Sequence, residues 1–323
     1  PSSSLGVIEI TILEEIEMNQ STWMQIVDAA RWAPSAHNAQ PWQFCLDGAY
    51  LVLRLRKERL RPVVDPSHRE TAIGVGALLF SLRVAARAEG FVLQVTQIGD
   101  VDGDQLFSCR LEPREAAFLE EAATLPRLRT WRREYRHEPL TEVQLSRLTS
   151  LDPDRLAVLP KGTKESRELI ELSVDAAVAY ARREDLYAEL NNHLPPERRR
   201  RRRTGKWYRS GKITTTRDLL NRAPAVVAIS IGAGPFSQGF QEYLQVGALY
   251  QKLRLQADRL GLVTQPISVL PQMAHLSEVE PPAKYDRLQM LLRVGVPQDH
   301  RRRPGASRDS VDQLVSLPEA AVA

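Results

Sequence analysis

Residues 75–90 read VGALLFSLRVAARAEG, and residues 246–261 read VGALYQKLRLQADRLG. Eight of the sixteen positions are identical at one offset, among them Gly76/Gly247, Arg83/Arg254 and Gly90/Gly261; chance would give about one. Apolar residues recur at spacings of three and four in both stretches, so each is read as a helix packed by one face. Gly90 and Gly261 stand where a helix that ends in the left-handed conformation wants a residue without a Cβ. Each helix is followed by an apolar run, FVLQVTQI or LVTQPISVL. Two amphipathic helices share leucines by default, but matched Gly, Ala and Arg at a single offset imply a duplicated chain.

Outward from the repeat, both halves mix helices and strands. In the first, a helix is expected over about 21–33 (Trp23, Ile26, Val27, Ala30), stopping at Pro34. A hairpin follows over about 42–55, turning at Asp47-Gly48. After the repeat helix a second hairpin turns near Asp102-Gly103, between strands 91–99 and 105–111. The later half opens near 127, with a helix over 141–150, helical text over 163–192, strand 224–231, the repeat helix and strand 289–296. Strands and helices do not alternate regularly, which argues against a doubly wound parallel sheet. The expectation is an α+β chain of two related halves, 1–125 and 126–323, with mixed or antiparallel sheets flanked by helices. A basic, lid-like insertion at about 185–215 interrupts the later half.

The chain has 323 residues, 43% of them hydrophobic and 26% charged. That composition supports a sizeable core and excludes wholesale disorder. Two cysteines, Cys45 and Cys109, make no disulfide framework and no zinc motif. The opening PSSSLGVIEI has no signal-peptide pattern, and the longest uncharged run, 223–241, is broken by Gly232, Gly234 and Pro235. The expected setting is cytoplasmic, away from a membrane. Net charge is +4, with 37 arginines against seven lysines. The densest basic run, Arg198 to Arg203 with Lys206 and Arg209, carries only Trp207 and Tyr208 as aromatic neighbours. It is read as a solvated connecting segment rather than a nucleic-acid site.

Several chemistries lose their usual sequence support. Gly74-x-Gly76 and Gly232-x-Gly234 each lack the third glycine of a dinucleotide fingerprint, at Leu79 and Ser237. Gly205-Lys206 and Gly211-Lys212 lack the upstream glycine of a phosphate loop. There is no HExxH and no GxSxG, and the six histidines show no metal-ligand spacing, so no metal is expected.

What remains is RWAPSAHNAQPWQF at 31–44. Small residues Ser35 and Ala36 let a flat ligand approach the backbone, and Asn38 and Gln40 each offer donor and acceptor atoms. A polar helix-to-strand turn with a packed tryptophan would read the same way. This stretch resembles the signature of the nitroreductase family of flavin enzymes (P-S-x-x-N-x-Q-P-W), with Pro34, Ser35, Asn38, Gln40, Pro41 and Trp42 at its fixed places. LRTWRREY at 128–135 is similar to the family's basic opening; Arg129, Thr130, Arg132 and Arg133 match, and Leu128 departs from it. GLVTQPISVL at 261–270 is similar to a helix-then-strand segment whose backbone faces the flavin. MLLRVGVPQDHRRRPGASRDSVDQLV at 290–315 looks like the last strand followed by a basic phosphate-contacting residue, here Arg308. Asp65-Pro66-Ser67-His68-Arg69-Glu70 is similar to a DPxxRE segment of the single-chain, Acg-type subgroup.

The resemblance implies FMN as cofactor and NAD(P)H or an organic donor as one reactant, with ping-pong hydride transfer to an acceptor such as a nitroaromatic or quinone. It leaves open oxidation of a biosynthetic substrate, or flavin sequestration without turnover. By the resemblance, Pro34, Ser35, Ala36 and Asn38 form the edge from the first half. Arg129, Thr130, Arg132, Pro266, Ile267, Ser268 and Arg308 come from the second. Arginines are expected at the phosphate because guanidinium–phosphate bonds are charge-assisted and bidentate. Two protomers make each site in the family. Here one chain is expected to supply both parts, as a monomeric pseudo-dimer or a weak homodimer taking a small-molecule substrate. His37 carries the side chain whose charge changes near neutrality, so it is a candidate proton donor or a bonded turn residue. Glu70 is a candidate at the ring edge or a stabiliser of the repeat-helix N-terminus.

Overall fold

The computed structural model describes residues 20–101, 103, 105–115, 120–192, 216–231, 239–299 and 307–317. The chain packs as two compact units. The first takes in Pro1–Leu60, Gly74–Arg127 and Ala306–Ala323; the second takes in Arg61–Ile73 and Leu128–Gly305. A single division at 125/126 is therefore not how the segments sort. Residues 61–73 pack with the later part of the chain, and 307–317 with the earlier.

The first unit begins with a helix over 20–30. Trp23, Ile26, Val27 and Ala30 are all fully buried, the i, i+3, i+4, i+7 stripe that faces a core. The helix gives way to a turn before Pro34. Strands β1 (Trp42–Asp47) and β2 (Tyr50–Leu55) pair antiparallel, with Asp47 opposite Tyr50. The loop between them is thus Gly48-Ala49, and Asp47 closes the ladder. Gly48 has φ +56°, the left-handed value that the first position of such a tight loop requires. The repeat helix, Arg69–Ala88, leads through Gly90 to β3 (Phe91–Gln97), which pairs with β4 (Phe107–Pro113). Asp102, expected at the second hairpin turn, lies outside the described residues.

In the second unit, Thr141 caps the helix Glu142–Thr149 with a reciprocal capping box to Gln144. Strand β5 (Leu156–Pro160) was not expected from the sequence. The helical text over 163–192 is two helices, Lys164–Arg182 and Glu184–Asn192, broken where Arg183 turns to φ −90°, ψ 94°. Of the expected insertion at 185–215, residues 193–215 fall outside the described residues. Strands β6 (Ala225–Ser230), β7 (Val263–Pro266) and β8 (Leu288–Gly295) complete the sheet, with the second repeat helix, Phe240–Arg259, between β6 and β7. The run after β7 is not continued strand: Val269–His275 is helical, with Ser268 as its N-cap residue.

The two sheets share a connectivity. The first runs β3-β4-β2-β1-β9, where β9 is Val315–Ser316, and the second β5-β6-β8-β7. In both, the strand after the repeat helix is an edge, bonded antiparallel to the strand that follows it; that strand bonds to the one before the helix. The repeat helices have equal length, 20 residues, and end before glycines at φ +85° (Gly90) and +70° (Gly261). The first sheet gains β9 (Val315–Ser316), a short parallel addition against Phe44 and Cys45 of β1. Among the described residues one helix, Arg69–Ala88, is long and apolar enough to cross a membrane, but 72% of its apolar stretch is buried in the protein.

Candidate functional site

In the first unit the PSAHNAQPW loop is set by its backbone. His37, Asn38 and Gln40 have φ +52°, +60° and +49°, a conformation that costs any residue with a Cβ about 1 kcal/mol or more. Asn and His are among the side chains found there most often. Ser35 Oγ accepts the Gln40 N–H at 3.0 Å, which helps close the turn. Gly74 of the repeat helix packs against this loop: a Cβ there would lie 3.5 Å from the Trp42 ring and 3.6 Å from Pro34 O and Ser35 Cα.

The loop's amides meet the chain's last described segment. Asn38 Oδ1 accepts a hydrogen bond from Arg308, and Asn38 Nδ2 donates to Ser307 O at 3.0 Å. Gln40, 5% exposed, accepts the Asp309 N–H at 2.9 Å. The Asp309 carboxylate takes Arg56 at 2.7 Å and Arg59 at 2.6 Å, and its carbonyl takes Arg31 at 3.0 Å. Asn38 and Arg308, expected from opposite halves, therefore sit together in one unit. The reason is the return of 307–317 to β1, fixed by Asp309 and β9. The Arg56, Arg59 and Asp309 cluster carried no sequence signal beyond the acidic residue next to Arg308.

The second unit brings together the basic opening and the run after the repeat helix. Trp131 N donates to Thr264 O at 2.9 Å, tying 129–133 to β7. Arg129 donates to Leu128 O at 2.8 Å, Arg132 is exposed, Thr130 is half-buried and Arg133 pairs with Asp299. Leu128 is buried, so the residue that departs from the family pattern has become core. Ile267 N is used by the sheet, bonding Leu291 O at 2.7 Å, while Pro266 has no N–H. Ser268 is exposed, and its N–H makes no hydrogen bond among the described residues.

Beneath 129–133 lies Arg293 of β8, 1% exposed. Its Nε donates to Gln265 Oε1 at 2.7 Å and its Nη2 to Arg133 O at 2.9 Å and Trp131 O at 3.4 Å. Its guanidinium lies 4.6 Å from the centre of the buried Tyr135 ring. Burial lowers its pKa, opposed by Tyr135 and by Glu134; burial likewise raises the Tyr135 phenol. An arginine inside MLLRVG, an otherwise apolar strand, was the readable signal for this group.

Glu70 is buried in the second unit. Its carboxylate accepts from Arg69 at 3.3 Å, and Arg69 also donates to Gln289 O at 2.7 Å. The helix N-terminus is satisfied by Asp65 instead, whose carboxylate accepts from Glu70 N (2.9 Å), Thr71 N (2.8 Å) and Thr71 Oγ1 (2.8 Å). The DPxxRE stretch is thus an N-cap at its Asp and a buried ion pair at its Arg-Glu. His275, beside Arg69 and Asp65, has its pKa lowered by burial and by Arg69, with Asp65 opposing.

These features define an α+β protein with one arm of side-chain amides meeting arginine and another of arginines over a buried cation. The model of the Nitroreductase family matches residues 15–49, the stretch holding the PSAHNAQPW loop. The Mycobacterium tuberculosis protein named "Putative NAD(P)H nitroreductase acg" is 32% identical over 141 residues, 41% of this chain; the chain thereby spans less than half of that relative, 42%. "Putative NAD(P)H nitroreductase Rv3131" of the same organism is 24% identical over 310 residues, 89% of each chain. A solved nitroreductase with bound FMN from Bacteroides fragilis is 13% identical, covers 59% of this chain and 96% of its own, and has a TM-score of 0.38. The chain is thus similar to members of the nitroreductase family, most sharply over the stretch that holds the PSAHNAQPW loop.

Proposed function

We propose that this protein is an FMN-dependent oxidoreductase that takes a hydride from NAD(P)H, or from an organic donor, and passes it to an acceptor such as a nitroaromatic or quinone. The observation that carries the reading is the grouping in the second unit. Arg129, Thr130 and Arg132 stand on one short segment, bonded to the β7 strand that runs into an exposed, unbonded Ser268 N–H. Arginines suit a dianionic phosphate, and a free backbone N–H suits a ring nitrogen that gains electrons. Bound FMN would supply the hydride and electron chemistry; the protein supplies binding and electrostatics.

The residues present fit that group. Arg129, Arg132 and the Thr130 hydroxyl would hold the phosphate, and Pro266, Ile267 and Ser268 would present backbone to the ring. In the first unit, Pro34, Ser35, Ala36 and Asn38 are the residues that the resemblance assigns to the flavin, with Arg308 bonded to the Asn38 amide. His37, exposed beside Asn38, is the side chain assigned to deliver a proton. Glu70 is not assigned a proton-transfer role, because its carboxylate is engaged by Arg69.

The test is anaerobic addition of NADH or NADPH to the FMN-loaded protein. Bleaching of the visible flavin absorbance, reversed by a quinone or nitroaromatic, supports turnover. A bound flavin that neither nicotinamide bleaches refutes NAD(P)H as the donor.

A further inference from the structure

Arg293 forms no ion pair among the described residues. Among the described residues its hydrogen bonds all run to neutral oxygens: the Gln265 amide and the carbonyls of Trp131 and Arg133. The carboxylate that acts on it, Glu134, is exposed and bonded to Arg222 at 2.8 Å. Among the described residues Arg69 pairs with Glu70, and Arg56 and Arg59 share Asp309, whereas buried Arg254 of the second repeat helix bonds the Gln251 amide and, unlike Arg293, lies under no segment of further arginines. Taking a guanidinium out of water with nothing to neutralise it costs several kcal/mol. A bound anion above it would offset that cost. The position identifies that anion's place, because the guanidinium grips from beneath the segment that carries Arg129, Thr130 and Arg132.

We propose that Arg293 is an electrostatic positioning residue: it fixes the 129–133 backbone through two carbonyls and supplies the buried positive charge that selects a phosphate-bearing ligand over the same ring without phosphate. This rests on the flavin reading above. Tyr135 and Gln265 serve it. The Tyr135 ring covers one face of the guanidinium and its hydroxyl donates to Arg293 O at 3.3 Å, while Gln265 orients the fork without cancelling its charge.

The test compares dissociation constants for FMN and for riboflavin, read by flavin fluorescence, in the wild type, Gln265→Glu and Arg293→Met. Gln265→Glu keeps the bond to Arg293 Nε and adds a negative charge beside it, so it folds even if Arg293→Met does not. The wild type is expected to prefer FMN. Gln265→Glu is expected to reduce that preference about tenfold by weakening FMN alone, the size of effect one charge has at several ångströms in a protein-like dielectric. Arg293→Met is expected to reduce it in the same direction. An equal loss for both flavins, the signature of a purely structural arginine, overturns the proposal. So does an unchanged preference in Gln265→Glu. A wild type that binds FMN but shows no preference overturns this inference alone; one that binds neither flavin overturns the flavin reading and this inference with it.

Discussion

The 34–40 loop and the 129–135 segment are both short polar stretches held in place by arginine, and they are held in opposite ways. Around the first, the arginines have a carboxylate partner: Asp309 takes Arg56 and Arg59, and the Asn38 and Gln40 amides bond the same returning segment. Around the second, Arg293 has no carboxylate partner among the described residues: it is sealed under the segment by an amide, two carbonyls and a ring. Arginines that share a carboxylate can fix a loop without any ligand. An unbalanced buried cation leaves a local excess of positive potential, and the residues above it are where an anion gains most.

The largest effect that would break this comparison is on the second segment. Arg293→Ala leaves the Trp131 and Arg133 carbonyls without their donor and opens a cavity, and it is expected to cost about 3–5 kcal/mol in urea unfolding. A loss under about 1 kcal/mol would mean that the segment is held elsewhere. Asp309→Ala strands two arginines that are only partly buried, so a smaller loss of about 2 kcal/mol is expected. Part of it should be recovered in high salt, which screens the remaining repulsion. Equal costs at the two sites would erase the distinction between them.

The likeness of the two units gives a sharper, smaller test. Gly90 and Gly261 end equivalent helices at positive φ, and nothing lies within 4 Å of a Cβ at Gly261. Gly261→Ala should therefore cost only the conformational term, about 1 kcal/mol, and Gly90→Ala a similar amount. Calorimetric Tm values that differ widely between the two variants would show that the helix ends are not equivalent.

The smallest effect is on pH dependence. The folded-state pKa of His275 is depressed by burial and by Arg69, so the unfolded chain binds its proton first as pH falls. Stability is fully present above the usual imidazole value of 6.5 and declines as pH drops through it. His275→Gln should flatten that limb of the Tm-against-pH curve; an unaltered limb would remove His275 from the account.

How much of this was legible beforehand follows from the kind of interaction involved. The repeat helices, their glycine ends and the 20–30 stripe were readable, because periodicity and left-handed caps are local. The hairpin was readable too, although its loop is Gly48-Ala49 rather than Asp47-Gly48, a shift of one residue that only the ladder register decides. The return of 307–317 to β1 was not, since it depends on a carboxylate reaching arginines more than 200 residues away in sequence. That is why Arg308 was expected with the later half and is found beside Asn38. Asp65 stood in a recognisable motif, but its role as the helix cap emerges only when the Glu70 and Thr71 amides are seen to end on it. Arg293 stands out in the sequence only as a charge inside an apolar strand, and a lone arginine in a strand says nothing about what it faces.

The central claim is that this chain holds a flavin mononucleotide, and the most direct check is the visible spectrum of the purified protein after incubation with FMN and removal of free ligand. The account predicts a yellow protein carrying about one flavin per chain, with Arg129→Ala and Arg308→Ala each retaining less. A preparation that remains colourless would contradict it.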